Sequence, residues 1–247
     1  MVSTPDLQLP IAEAHSSDEM GWKSASISAR IAVDIVRMNL TVYPSDSAVA
    51  AMVVAHGAGV GQGSGFMVRS AQGLAQRRVS AATFDFPYMA TGRKVPDRAD
   101  VLERSWREAI DAARGAFDGL PLFIGGKSMG GRIASHVAAQ GCGGIAGVIF
   151  LGYPLHAPGK PEQRRDAHLP AIREPMLFVQ GTRDAFGTAD EIRALLTGLQ
   201  RASLHEVAGG DHSLKVSGRG APKPDAVLEA VLDAVVAWVH ACMRSPE

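Results

Sequence analysis

Short apolar runs ending in glycine or polar residues alternate along this chain with stretches of helical spacing. The runs cover 50–55, 79–86, 122–124, 145–151, 176–179 and 204–207. Largely apolar apart from His205 and Glu206 in the last, they read as strands of a sheet covered on both faces. Residues 24–43 differ: Ile27, Ile31, Val33, Ile35 and Met38 alternate only in part, which predicts one or two antiparallel strands. Pro96 and Asp97 open a helix whose Leu102, Trp106, Ile110, Ala113 and Phe117 recur every three or four residues as one apolar stripe. Pro224 and Asp225 open another, with Val227, Val231, Val235 and Trp238 near one face and Leu228 and Val239 widening it. Weaker helical spacing covers 66–76, 129–139 and 189–199. Strands alternating with helices predict βαβ crossovers, hence an α/β architecture with a mostly parallel, doubly wound sheet and helices on both faces. The polar, aperiodic residues 1–22 read as a loose arm, and 23–247 as a single domain without internal repeat or linker.

The run at 122–124 leads into Gly125-Gly126-Lys127-Ser128-Met129-Gly130-Gly131. A serine with glycine two residues away on each side, between strand and helix, has the layout of a nucleophile elbow. The turn is so sharp that side chains at the flanking positions would strike neighbouring backbone. Gly126-Lys127-Ser128 also ends a phosphate-binding loop, but that loop needs glycine where this chain has Pro121. The remaining alternative is a glycine-rich turn carrying a solvated serine.

A serine hydroxyl is a weak nucleophile unless a base takes its proton, an acid orients that base, and amides receive the developing oxyanion. In an open parallel sheet these groups belong beyond the carboxyl ends of the strands. Asp184 follows the strand at 176–179, where the alternative reading is a helix cap. His212 follows the strand at 204–207 in the loop Ala208-Gly209-Gly210-Asp211-His212-Ser213. The order serine, aspartate, histidine is that of the α/β-hydrolase triad. The strand at 50–55 ends in His56-Gly57-Ala58-Gly59, a source of one oxyanion amide, the second coming from the residue after the serine. The backbone amides of Ala58 and Met129 are assigned to this hole, with Gly57 as a fallback. Gly57 to Gly65 contains alternating glycines, but they do not match the dinucleotide fingerprint Gly-x-Gly-x-x-Gly.

Charge adds an exclusion. Twenty-five basic and 25 acidic residues among 247 balance, so nothing calls for nucleic acid or an anionic membrane. No apolar run is read as a membrane span and no basic-then-apolar leader opens the chain, so a cytoplasmic protein is expected. Cys142 and Cys242 lack metal-ligand spacing and are expected to be reduced, buried thiols. No cofactor and no metal are implied, and a monomer or homodimer acting on a small-molecule substrate is expected.

Further segments carry a family resemblance: Ala55-His56-Gly57-Ala58-Gly59, Phe84-Asp85-Phe86-Pro87-Tyr88 with Gly92-Arg93-Lys94, Gly125 to Gly131, Gly152-Tyr153-Pro154-Leu155-His156, Pro158-Gly159-Lys160-Pro161, Phe178 to Gly187, and Gly210-Asp211-His212-Ser213. On these the chain resembles the KANSL3/Tex30-like α/β-hydrolases. The resemblance implies a dienelactone-hydrolase-like core and a triad of Ser128, Asp184 and His212. It supplies no substrate, and some relatives look like interaction modules. A catalytically silent hydrolase-fold module that binds a partner is therefore the alternative to a serine esterase. Candidate substrate contacts are His56, Tyr88, Arg93, Lys127 and Tyr153. Arg93, Lys94, Lys127 and Lys160 could gather at the mouth and favour an anion, or stay as solvated surface charges. The stretch 152–174 is short, rich in proline and charge, and has no amphipathic lid helix, which disfavours an interfacial lipase and favours a small soluble ester.

Overall fold

The computed structural model describes residues 32–35 and 38–244. The expected arm at 1–22 lies outside them. Strands β1 (Ala32–Ile35) and β2 (Met38–Tyr43) form the antiparallel pair, and β2 runs antiparallel to β4 (Val79–Phe84). The parallel strands are β3 (Ala50–Ala55), β4, β5 (Leu122–Lys127), β6 (Gly147–Leu151), β7 (Met176–Gly181) and β8 (Ala202–Val207). All eight join one sheet in the order β1-β2-β4-β3-β5-β6-β7-β8.

Two boundaries differ from the apolar pattern. β4 ends at Phe84, because Phe86 leaves the sheet to pack edge-on against His56 and is the N-cap of α2 (Pro87–Ala90), a short helix that the pattern does not predict. β5 continues beyond Ile124 through Gly125, Gly126 and Lys127, which pair with β6 despite their low strand propensity.

Crossover helices cover both faces. α1 (Gly65–Gln76) and α6 (Pro224–Arg244) lie on one; α3 (Ala99–Ala116), α4 (Met129–Ala139) and α5 (Ala189–Leu196) on the other. The expected stripe of α3 is buried from Leu102 to Phe117, although the helix starts at Ala99 rather than at Pro96. Side chains alternate across the sheet. In β3, Ala51, Val53 and Ala55 join the α3/α4 core, while Ala50, Met52 and Val54 join the α1/α6 core.

The expectation about membrane spans needs a correction. By length and composition α6 could cross a bilayer, with a mean hydropathy of 1.7. Val227, Val231, Val235 and Val239 are buried in the core, and Arg77, the C-cap of α1, bonds Glu229 and Asp233 on its polar side at 2.6 and 2.7 Å. Cys142 and Cys242 are free thiols, each only partly buried, and burial raises both pKa values.

The switch point of the topology fixes where a site can form. β3 has β4 on one side and β5 on the other, and the helices that follow β3 and β5 cover opposite faces. Their loops part at the carboxyl edge and open a crevice there.

Candidate active site

The turn after β5 is as tight as its glycines suggest. Ser128 has φ 49° and ψ −115°, a conformation that costs a non-glycine residue about 1–3 kcal/mol. A Cβ on Gly126 would collide with the Ala55 carbonyl oxygen, and one on Gly130 with the carbonyls of Ala55 and His56. The elbow can therefore press against the end of β3 only with glycine at both positions. Trp106 of α3 anchors its far side by donating from Nε1 to the Gly130 carbonyl at 3.0 Å.

His212 is brought to this serine across 84 residues, its Nε2 standing 2.8 Å from Ser128 Oγ. On the other side, its Nδ1 lies 2.8 and 3.0 Å from the two oxygens of Asp184. Asp184 is buried and takes two further donors, the Phe186 amide at 2.8 Å and Gln180 Nε2 at 2.9 Å. Those donors fix the orientation of the carboxylate against His212. Phe186 stacks on the His212 ring at 4.1 Å between centroids. With an acceptor fixed at Nδ1, the imidazole carries its proton there and turns a free Nε2 lone pair toward the serine.

The loop after β3 is pinned from inside. His56 is fully buried, accepts from the Phe86 amide at Nε2 (3.2 Å) and donates from Nδ1 to the Gly57 carbonyl (2.8 Å). Burial lowers its pKa, against the opposing effects of the Gly57 bond and Asp85, so the ring is neutral. The Gly57 carbonyl and the Ala58 N–H belong to one planar peptide and point in opposite directions. Fixing the first aims the second. Among the described residues neither the Ala58 nor the Met129 amide has a protein acceptor. Ala58, Ser128 and Met129 line one cavity of about 390 Å³, together with Asp97, Arg132, Arg165 and Phe186.

The expected substrate contacts fare differently. His56, Tyr88 and Tyr153 are buried and line neither principal cavity. His56 clamps the loop, Tyr88 packs on Phe86, and Tyr153 packs on Phe150 and donates to the Arg165 carbonyl at 2.6 Å. Arg93 pairs with Asp97 at 2.8 Å, outside the cavity wall. Lys94 and Lys160 are exposed and do not join the site. Gly57 and Lys127 line a second cavity on the α1/α6 face rather than the one at Ser128. Strand alternation explains Lys127: Leu122 and Ile124 face the α3/α4 core, Phe123 the α1/α6 core, and residue 127 falls in step with Phe123.

Residues absent from the sequence reading take their places. Arg132 stands one helical turn after Ser128, a spacing that puts both on one side of α4. Burial lowers its pKa, with Arg165 adding to that effect and Tyr153 and Glu103 opposing it. Among the described residues neither arginine forms an ion pair with an acid. Gln180, a polar residue in the buried strand β7, ties Asp184 to the Tyr153 amide and the Gly187 carbonyl. No group of three or more metal-ligating side chains occurs among the described residues.

The sequence pattern of the alpha/beta hydrolase domain matches residues 48–240, from β3 through most of α6. The chain belongs to this family. Solved α/β-hydrolase structures share the fold at low identity. A dienelactone hydrolase from Anabaena variabilis is 18% identical, with a TM-score of 0.66 over 87% of this chain and 96% of its own. A serine hydrolase homologue from Coxiella burnetii is 14% identical, with a TM-score of 0.66 over 82% and 91%. A serine hydrolase without lid from Xanthomonas campestris is 15% identical, with a TM-score of 0.64 over 85% and 91%. No lid domain occurs among the described residues: between β6 and β7 the one helical element is the three-residue turn Leu169–Ala171.

Proposed function

We propose that this α/β-hydrolase is a serine esterase that cleaves a small soluble ester, thioester or amide through an acyl-enzyme. The observation that carries the reading is the unbroken hydrogen-bonded chain from Ser128 Oγ through His212 to Asp184. Ser128 Oγ attacks the acyl carbon while its proton passes to His212 Nε2. Asp184 stabilises the imidazolium, and the Ala58 and Met129 amides receive the oxyanion. Collapse of the tetrahedral intermediate breaks the bond to the leaving group, which takes the proton from Nε2. Water then attacks the acyl-enzyme with His212 as base, and Ser128 is regenerated. The two arginines without acid partners favour an acyl group carrying its own negative charge. The segments around Phe86 and Tyr153, which buttress this site, support placement among the KANSL3/Tex30-like hydrolases.

Labelling with a fluorophosphonate probe tests the reading, with Ser128→Ala as control. Modification of Ser128, together with loss of ester turnover on the order of 10⁴-fold in the variant, is expected. Folded protein that stays unlabelled would instead be a silent interaction module.

A further inference from the structure

The second cavity, about 400 Å³, is separated from Ser128 by the two loops that build the site: Gly57 and Lys127 face it, while Ala58 and Ser128 face the other. Its volume is in the range of small-molecule sites, about 300–1,000 Å³. Phe66 and Met67 of α1 and Leu228 and Val231 of α6 give it an apolar wall. Its charged lining residues are Arg69, Lys127 and Lys215, with no acid among them. Arg69 pairs at 3.4 Å with Asp225, which is exposed and not part of the wall.

The amino end of α1 opens onto the same space. Its first turn contains no acid and its N-cap Ser64 makes no side-chain cap. Among the described residues the amides of Gly65, Phe66 and Met67 have no acceptor. The Ser64 hydroxyl oxygen, on a residue that lines the cavity, is buried without a partner. A hydroxyl taken out of water with nothing to bond, beside unpaired helix amides and cations, is a cost that a bound anion would remove.

We infer that this cavity is a binding site for a small amphipathic carboxylate, its head at Ser64 and the α1 amides beside Arg69 and Lys215, its tail against α1 and α6. The site lies on the opposite face of the sheet from the Ser128 pocket and does not depend on the reaction proposed there.

Calorimetric titration of the full chain with octanoate tests this, with octyltrimethylammonium and octyl phosphate as comparisons. Octanoate is expected to bind the wild type and Ser128→Ala alike, and the ammonium compound not to bind. The double substitution Arg69→Glu with Lys215→Glu, at exposed positions, should weaken octanoate at least tenfold, and Ser64→Ala should weaken it less. No heat with octanoate, equal binding of the cation, or indifference to the charge reversals would overturn the inference. Binding of octyl phosphate in place of octanoate would overturn the carboxylate assignment.

Discussion

Lys127 Nζ donates a hydrogen bond to the backbone carbonyl of His212. The residue before the candidate nucleophile therefore holds the loop that carries the candidate base. Gly152, at φ 73°, leaves the room: a Cβ there would stand 3.0 Å from both Lys127 Nζ and the His212 oxygen. Burial pulls the Lys127 pKa down to about 8, partly countered by Asp184 and Asp211. Between that value and the ordinary lysine range near 10.4, the unfolded chain binds a proton that the folded chain does not. Stability contributed through this group must then rise with pH across the window. Urea unfolding of wild type and Lys127→Met at pH 7.5 and 9.5 should show the wild type gaining on the variant at the higher pH. A difference that does not change with pH would refute the assignment.

Gln180 is predicted to be a linchpin of stability as well as of the site. Its amide accepts from the Tyr153 amide at 2.8 Å and donates to Asp184 and the Gly187 carbonyl, all buried. Gln180→Leu keeps the approximate bulk but strands these partners, at about 1–3 kcal/mol for each buried group left unpaired. Chemical denaturation should show a loss of several kcal/mol, and esterase turnover should fall with it. A loss below about 1 kcal/mol would mean that water or a shifted neighbour replaces the amide.

These two residues show what the chain discloses and what it withholds. The convergence of Ser128, Asp184 and His212 was readable because each follows a strand of the parallel sheet, buried for β5 and β7 and partly exposed for the edge strand β8, and such a sheet gathers these positions at one edge. Lys127 was expected at the substrate, and its actual partner, a backbone carbonyl 85 residues away, left no trace in the local pattern. Gln180 follows the apolar run 176–179, four residues before the acid, but periodicity does not distinguish a buried strand amide from the first residue of a loop. His56, Tyr88 and Tyr153 were expected at the substrate because they sit in distinctive segments; that distinctiveness reflects packing around the loops. Arg132 had a usable signal, its one-turn spacing from Ser128, whereas Arg165 reaches the cavity along an irregular connection that pattern cannot trace.

Arg132 and Arg165 should set acyl preference. Among the described residues neither forms an ion pair, although Asp97 shares their cavity, and they can bond a carboxylate on the acyl chain. Succinate and glutarate mono-esters of 4-nitrophenol are expected to be cleaved with kcat/KM at least tenfold above the butyrate ester. Arg132→Gln should shrink that ratio, chiefly through KM for the charged esters. Equal kcat/KM values for charged and neutral esters in the wild type would remove the arginines from substrate recognition.

His56 offers the sharpest test of how the oxyanion hole is built. Its neutral ring is held between the Phe86 amide and the Gly57 carbonyl, and it touches neither the Ser128 cavity nor the triad. Its influence on the reaction must pass through the Gly57–Ala58 peptide, as a positioning residue. In His56→Ala the carbonyl loses its donor, the peptide is free to rotate, and the Ala58 N–H no longer points steadily at the oxyanion. Loss of one such donor typically costs about 10²–10³ in kcat. The variant should therefore show a fall in kcat of that order with KM within a few-fold of wild type, and Ser128 should react with fluorophosphonate correspondingly more slowly. A purely structural role would instead lower the fraction of active protein and leave the labelled remainder reacting at the wild-type rate. Titrating active sites before measuring rates separates these outcomes, and a wild-type labelling rate per active site would refute the positioning role.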